Sequence, residues 1–239
     1  MGRGFLRNLS RKNSPDRKIF FVFGTDTGVG KTKVCEILLT GFKEIGIKAI
    51  PFKPIETGGS RKDKNSDACR LSRASSCLLP EEVSPFFFKK PIAPLLASEM
   101  EGKKIKREEI VLAIKKIFER GEVLLVEGAG GLLSPISYDF DWLDIVKDLR
   151  GNIIIVIGNK LGAINHALLT ENLIIHRKIK PAGWILNNLS KKKDLAQRTN
   201  LLLLKKFMRS PFIGEVPYFK KFPDKNFCRE IAEKLIPFF

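Results

Sequence analysis

The sequence predicts a doubly wound α/β domain, a mostly parallel sheet with helices on both faces. Three observations carry that expectation. From Lys18 onward, short runs of β-branched and aromatic residues alternate with longer stretches at helical spacing, which is how a sheet with crossover helices is written. Runs such as VLLV (123–126) and IIIVI (153–157) are apolar without alternation, so both their faces are buried, as in a parallel sheet covered on two sides. The first run also leads through a glycine-punctuated loop straight into a helical pattern, the order of a ligand-binding βα turn.

IFFVFG (19–24) is the first expected strand, and Asp26 to Gly30 form the loop. The helix that follows puts Val34, Leu38, Phe42 and Ile45 on one face before Gly46 stops it. A second strand is expected over 47–54, then a polar segment to Lys64, then a helix capped by Ser66 that runs through about Cys77. The proline-rich stretch containing Phe86 to Phe88 is expected to be a loop. A helix follows over 107–120, and strands over 122–128, 153–158 and 182–187. Helices are expected over 141–149, 163–177, 194–208 and 228–236, with a short last strand at Phe212 to Val216. No internal repeat or low-complexity linker divides the pattern, so one domain is expected over 18–239, preceded by a basic, disordered extension over 1–17.

Composition narrows the function classes. The 239 residues are 44% hydrophobic and 29% charged, which excludes a natively disordered chain and supplies a core that needs no disulfide or metal staple. Four cysteines, Cys35, Cys69, Cys77 and Cys228, form no CxxC pair and no zinc spacing; they are expected to be packing residues in a reduced, cytoplasmic protein. No run of roughly 18 uncharged apolar residues offers a membrane span. The net charge of +17 favours anionic partners, but its lysines lie in short scattered clusters and not in one nucleic-acid-binding arm, so neither nucleic acid nor membrane is expected as a partner.

Chemistry is concentrated at the expected strand ends. Gly24-Thr-Asp-Thr-Gly-Val-Gly-Lys-Thr32 sits between strand and helix, where backbone N–H groups wrap a polyphosphate. There Lys31 supplies a charge to the terminal phosphates and Thr32 a hydroxyl to Mg²⁺. The common pattern requires glycine where Thr25 stands; here the first glycine is one residue earlier, at Gly24. Lys53, closing the second strand, is either a solvated surface lysine or a group that neutralises charge on a transferring phosphoryl. Asp67 and Glu127 are the candidate carboxylates for Mg²⁺, although Asp67 in a first helical turn also suits the helix dipole. Glu127 stands at the tip of a buried strand, followed by the small residues Gly128, Ala129, Gly130 and Gly131. His166 and His176, ten residues apart, are expected to bind no metal, and Trp142 and Trp184 to be packing residues.

Taken in order, GTDTGVGKT, FKPIETG, NSDA, VEGAGGLLSPI, GNKLGAINHALLT, GWILNN and GEVPYF resemble the dethiobiotin synthetase family over about residues 19–220. The resemblance implies a phosphate-loop NTPase-type fold and a homodimeric, Mg-ATP-dependent cyclo-ligase of biotin synthesis. Such an enzyme turns 7,8-diaminononanoate and CO₂ into the ureido ring of dethiobiotin, through a carbamate and a carbamic-phosphoric anhydride.

Carried over residue by residue, Gly28, Val29, Gly30, Lys31, Thr32 and Lys33 hold the triphosphate, and Lys53 with Lys31 is catalytic. Thr32, Asp67 and Glu127 form the metal set. Thr57 binds the substrate amines, while Glu127, Gly128, Ala129 and Gly130 line both nucleotide and carbamate. Asn187 and Asn188 read adenine, and Pro217, Tyr218 and Phe219 close over it. The helix start at Gly162, Ala163, Ile164 and Asn165 takes the substrate carboxylate, partly across a dimer interface. Where some members place a tyrosine against that carboxylate, a gap-free count brings Asn200 to the position. The competing expectation is a partition-type ATPase acting on DNA or membrane, but the signature lysine of such loops is replaced here by Thr25, Asp26 and Thr27.

Overall fold

In the computed structural model, which describes residues 18–239, strand β1 (Lys18–Gly24) lies mid-sheet between β5 (Val123–Gly131) and β6 (Asn152–Asn159). The extension expected over 1–17 falls outside the described residues. With β2 (Ala49–Phe52), β7 (Pro181–Asn188) and β8 (Phe212–Val216), the sheet has six strands in the order β2-β5-β1-β6-β7-β8. Every pair in it is parallel. The apolar runs are buried as their lack of alternation requires: Val123 to Val126 and Ile153 to Ile157 are at most 1% exposed.

Helix α1 (Lys31–Glu44) follows β1, and chain direction along the sheet reverses after β2. Right-handed crossovers place α1 on one face and α5 (Arg107–Phe118), α6 (Trp142–Asp148), α7 (Ala163–His176) and α8 (Leu195–Phe207) on the other. The packing agrees: α1 lies against α2 (Asp67–Ser75) and α9 (Lys225–Glu233), α5 against α6 and α7 against α8. The βα turns of β1 and β5 diverge to opposite faces, which opens a crevice at their carboxyl ends.

Several expectations need correction. The expected strand over 47–54 stops at Phe52, and β3 (Ile55–Thr57) pairs in a separate two-stranded sheet with β4 (Phe86–Phe88), a segment expected to be loop. The Pro54 carbonyl accepts from Phe86 N–H and fixes that departure. The helix opened by Ser66 ends at Ser75 because Ser76 is left-handed, φ 54°. Two short helices, α3 (Pro80–Val83) and α4 (Pro94–Met100), start on prolines in and around the stretch expected to be loop. The last helix begins at Lys225, not 228, since the Asp224 carboxylate caps it by accepting from Phe227 N–H at 2.9 Å. Cys35 and Cys228 pack as expected, but Cys77 is exposed. Trp142 and Trp184 are buried, and the leucine run 201–204 is split, with Leu204 in the core and Leu202 74% exposed.

Candidate active site

The turn after β1 is held by its own glycines and by the neighbouring strands. A Cβ on Gly24 would lie 2.6 Å from a Val29 methyl and 2.7 Å from the Asp26 carbonyl, so the shifted first glycine of this loop is a packing requirement. Gly30 has φ 89° and caps α1; a Cβ there would meet the Asn187 amide nitrogen at 2.2 Å. That amide donates to the Val29 carbonyl at 2.8 Å, so the end of β7 pins the loop. The first turn of α1 holds no acidic side chain, which leaves its N–H groups and positive dipole end facing the crevice.

Four predicted residues converge here, from α1, α2, β5 and the segment just past the end of β2. Lys53 Nζ, 6% exposed as a residue, ion-pairs with Asp67 Oδ2 and lies 2.8 Å from Glu127 Oε1. The Thr32 hydroxyl is 2.8 Å from Asp67 Oδ1 and 2.9 Å from Glu127 Oε1. Burial opposes the charge on Lys53, but the carboxylates of Glu127 and Asp67 outweigh it and hold the ammonium above its ordinary value. Asp67 is the reciprocal case: burial pushes its carboxyl up, and Lys53 together with Thr32 brings it below the usual range. Lys31 has no such partner in contact, so desolvation lowers it.

These groups wall a cavity of about 370 Å³, together with Thr27, Gly28, Gly30, Lys33, Thr57, Ala129 and Gly130. Val29 is buried under the loop, and Gly128 packs against the Phe23 ring. Larger, basic concavities elsewhere, such as the one bordered by Arg61, Phe87 and Lys103, lack this set.

The donor set suits a hard divalent ion bound to a phosphate chain: a threonine hydroxyl, two carboxylates and room for water. Glu127 Oε2 is buried with no hydrogen-bond partner among the described residues, an unmet acceptor that such a ligand satisfies.

The other predicted residues lie along the ends of β6, β7 and β8. Asn187 Oδ1 is buried and has no hydrogen-bond partner among the described residues. Asn188 is fully engaged: its Oδ1 accepts from Asn159 Nδ2 at 2.7 Å, and its Nδ2 donates to Glu215 Oε1 at 2.7 Å and the Val216 carbonyl at 3.1 Å. Asn200 is buried and donates to Asn159 Oδ1 at 2.9 Å and the Lys160 carbonyl at 3.0 Å, so it braces the loop before α7 from within. Gly162 and Asn165 are exposed, Ile164 is half-buried and Ala163 buried; this helix start lies outside the cavity walls. Lys160 beside it pairs with Asp26 of the phosphate loop at 2.7 Å. Phe219 sits under the Lys33 ammonium, 5.0 Å from ring centroid to Nζ, next to Pro217 and the 42% exposed Tyr218.

Comparison with known proteins supplies the family. A family model described as an AAA domain matches residues 18–225. The ATP-dependent dethiobiotin synthetase of Buchnera aphidicola subsp. Acyrthosiphon pisum is 41% identical over 222 residues, covering 91% of this chain and 98% of that protein. The enzyme of the same name from Bacillus licheniformis is 38% identical over 201 residues, with 84% and 86% covered. That from Escherichia coli K12 is 35% identical over 213 residues, with 87% and 93% covered. The chain belongs to the dethiobiotin synthetase family.

Solved structures match the fold alone. The MinC:MinD cell division complex of Aquifex aeolicus superimposes with TM-score 0.59 at 14% identity, over 92% of this chain and 96% of that one. A plasmid partition protein of Borrelia burgdorferi bound to AMPPNP gives 0.57 at 14%, over 94% and 100%. Synthetase and partition ATPases thus share a phosphate-loop scaffold, and sequence identity separates this chain from the latter.

Three features of this synthetase family member escaped the sequence. Glu56 is 6% exposed, and its carboxylate accepts from the first N–H groups of α2. Arg70, one turn after Asp67, reaches the cavity wall and pairs with Glu36 at 2.5 Å, one turn after Thr32. Asn159 joins Asn188 to Asn200. The spacing of Arg70 and Glu36 from the two predicted metal groups was the available signal for that pair.

Proposed function

We propose that this member of the family is a Mg-ATP-dependent cyclo-ligase that closes the ureido ring of dethiobiotin from 7,8-diaminononanoate and CO₂, as a cytoplasmic homodimer. The observation that carries the residue assignment is the meeting of Thr32, Lys53, Asp67 and Glu127 against the phosphate loop in one cavity. The name shared by its relatives supplies ATP and the product, dethiobiotin, and the family resemblance supplies the diamine and CO₂. All four cysteines are free, which supports a reducing compartment, and no helix of the described residues is long and apolar enough to cross a membrane.

Mg²⁺ held by Thr32, Asp67 and Glu127 would neutralise charge between the β and γ phosphates. The loop amides of Gly28 to Lys33 and the Lys31 ammonium hold the triphosphate, so its γ-phosphorus faces Lys53 and Thr57. Thr57 orients the diamine, one amine of which takes up CO₂ as a carbamate and loses a proton. A carbamate oxygen attacks the γ-phosphorus and ADP leaves. The second amine then attacks the carbonyl carbon, and phosphate departs as the ring closes. Lys53 supplies positive charge at the point where each of these steps builds negative charge. The small residues Gly128 to Gly130 let backbone approach the carbamate.

At the far end, the unpartnered Asn187 carbonyl suits the exocyclic amine of adenine, with Pro217 to Phe219 over the base. Asn188 contributes to that subsite through its ties to Glu215 and Val216. The exposed start of α7, from Gly162 to Asn165, takes the distal carboxylate, completed by a second subunit.

The test is to follow ADP release and product mass together with Mg-ATP and bicarbonate, with and without the diamine, and with DNA as a parallel additive. Diamine-dependent ADP release that yields dethiobiotin is the expected result. Turnover indifferent to diamine and raised by DNA overturns it.

A further inference from the structure

We propose that Glu56 is the positioning residue that fixes the metal carboxylate Asp67, and that it does so through the backbone of α2. The inference rests on the metal set assigned above and adds to it a residue that touches neither nucleotide nor metal. Glu56 is the middle residue of β3, between Ile55 and Thr57. Side chains alternate along a strand, so Thr57 turns to the cavity wall and Glu56 to the other side, toward the start of α2. There its carboxylate accepts from the Asp67 N–H at 2.8 Å and the Ala68 N–H at 3.3 Å. Ser66, the cap proper, reaches only the Cys69 N–H, at 3.2 Å. The first two N–H groups of the helix therefore depend on Glu56.

This is a costly arrangement to keep for a cap alone. Glu56 is 6% exposed and, among the described residues, its carboxylate makes no ion pair, so its desolvation is met by backbone N–H groups alone. What it secures is the residue whose own side chain reaches both Thr32 and Lys53. With the Asp67 backbone clamped from one side, its carboxylate is presented to the metal position without the entropy of a fraying helix end. The arrangement also links the two halves of the FKPIETG segment: Lys53 and Thr57 act at the cavity, while Glu56 holds their carboxylate neighbour.

The test uses the full chain and measures Mn²⁺ binding to its ATP complex by electron paramagnetic resonance, alongside amide hydrogen exchange without ligand. Glu56→Ala is expected to weaken Mn²⁺ binding roughly tenfold, the scale of lost support behind a metal ligand, and to speed exchange at the start of α2. The KM for the diamine should stay within about twofold of wild type while the Mg²⁺ half-saturation rises by the same tenfold. Glu56→Gln, which keeps one acceptor, should recover most of the loss, and it serves as the test variant should Glu56→Ala not fold. Asp67→Ala is the reference. If it weakens Mn²⁺ binding and neither Glu56 variant does, Glu56 is a simple cap and the proposal fails. If Asp67→Ala also leaves Mn²⁺ binding unchanged, the metal set itself is wrong and the proposal falls with it.

Discussion

Around the phosphate loop, Lys53, Asp67 and Glu127 meet as charges, with the Thr32 hydroxyl between the two carboxylates and one carboxylate oxygen left over. At the ends of β6, β7 and β8 the polar groups are mainly amides: Asn159, Asn188, Asn200 and Gln197 bond to one another and to backbone, with Asn187 Oδ1 as the free acceptor. Ion pairs in a partly buried site are strong only while each charge has a counter-charge, so the first region can exchange Lys53 for another cation when phosphate enters. Neutral amides that satisfy each other have no such alternative partner, and the second region acts as a fixed frame along its side of the cleft. One half of the cleft is built to trade partners, the other to stay as it is.

That contrast is most directly broken at Lys53. Lys53→Ala should lower diamine-dependent ADP formation about 100- to 1000-fold and, by stranding Glu127, cost the ligand-free protein about 3–5 kcal/mol in urea unfolding. Added Mg²⁺ should restore more stability to this variant than to wild type; equal restoration would mean that the pair is not an exchangeable charge site. In the amide region, Asn159→Leu leaves Asn188 Oδ1 and part of the Asn200 amide without partners. It should cost about 1–3 kcal/mol, independent of Mg²⁺ and nearly independent of salt. A loss that followed Mg²⁺ as steeply as that of Lys53→Ala would erase the difference between the two regions.

Lys33 joins the regions, since it extends from the first turn of α1 to the face of Phe219. Its cation–π contact is worth about 0.5–1 kcal/mol, so Lys33→Met should raise the ATP dissociation constant roughly two- to fivefold by calorimetry. The smallest effect is expected at Glu215. Burial alone would raise its carboxyl, but hydrogen bonds from Lys193 and Asn188 bring it below the ordinary value of 4.5. A depressed folded pKa gives stability that is present above the unfolded value and fades as pH falls through the folded one. Urea midpoints measured from pH 7 down to pH 3 should therefore decline less steeply for Glu215→Gln than for wild type below about pH 4.5. Parallel declines would show that the carboxylate is unlinked to the amide frame.

The charged region was far more legible in the sequence than the amide one, and the reason is physical. Lys31 and Thr32 follow a glycine loop, and Glu127 ends an apolar run; each is placed by local chain geometry that a pattern of neighbours reveals. Strand boundaries set by the same local signals were also readable, as at Phe212 to Val216, which matches β8 at both ends. Asn159 and Asn200 stand 41 positions apart and meet only because β6 and α8 pack together, so no local pattern announces them. Glu56 was hidden differently: a three-residue strand is too short to show alternation, and the small β3–β4 sheet that orients it depends on Phe86 to Phe88, which read as a loop between prolines. Cys77 was misplaced because cysteine is usually buried, whereas this one follows a left-handed helix end at the surface.

The central position of β1 has a consequence for biosynthesis. Its partners are Val123 onward on one side and Asn152 onward on the other, so the first of the described strands to leave the ribosome waits for distant stretches of chain before it finds any neighbour in the sheet. Until then KIFFVFG, with three phenylalanines and its one charge at Lys18, is an unpaired, aggregation-prone segment. Nascent chains arrested before β5 emerges should therefore be protease-sensitive and chaperone-bound, and those arrested well beyond β6 protected. The ligand crevice and the hazard of synthesis are two results of placing the phosphate loop in the middle of the sheet.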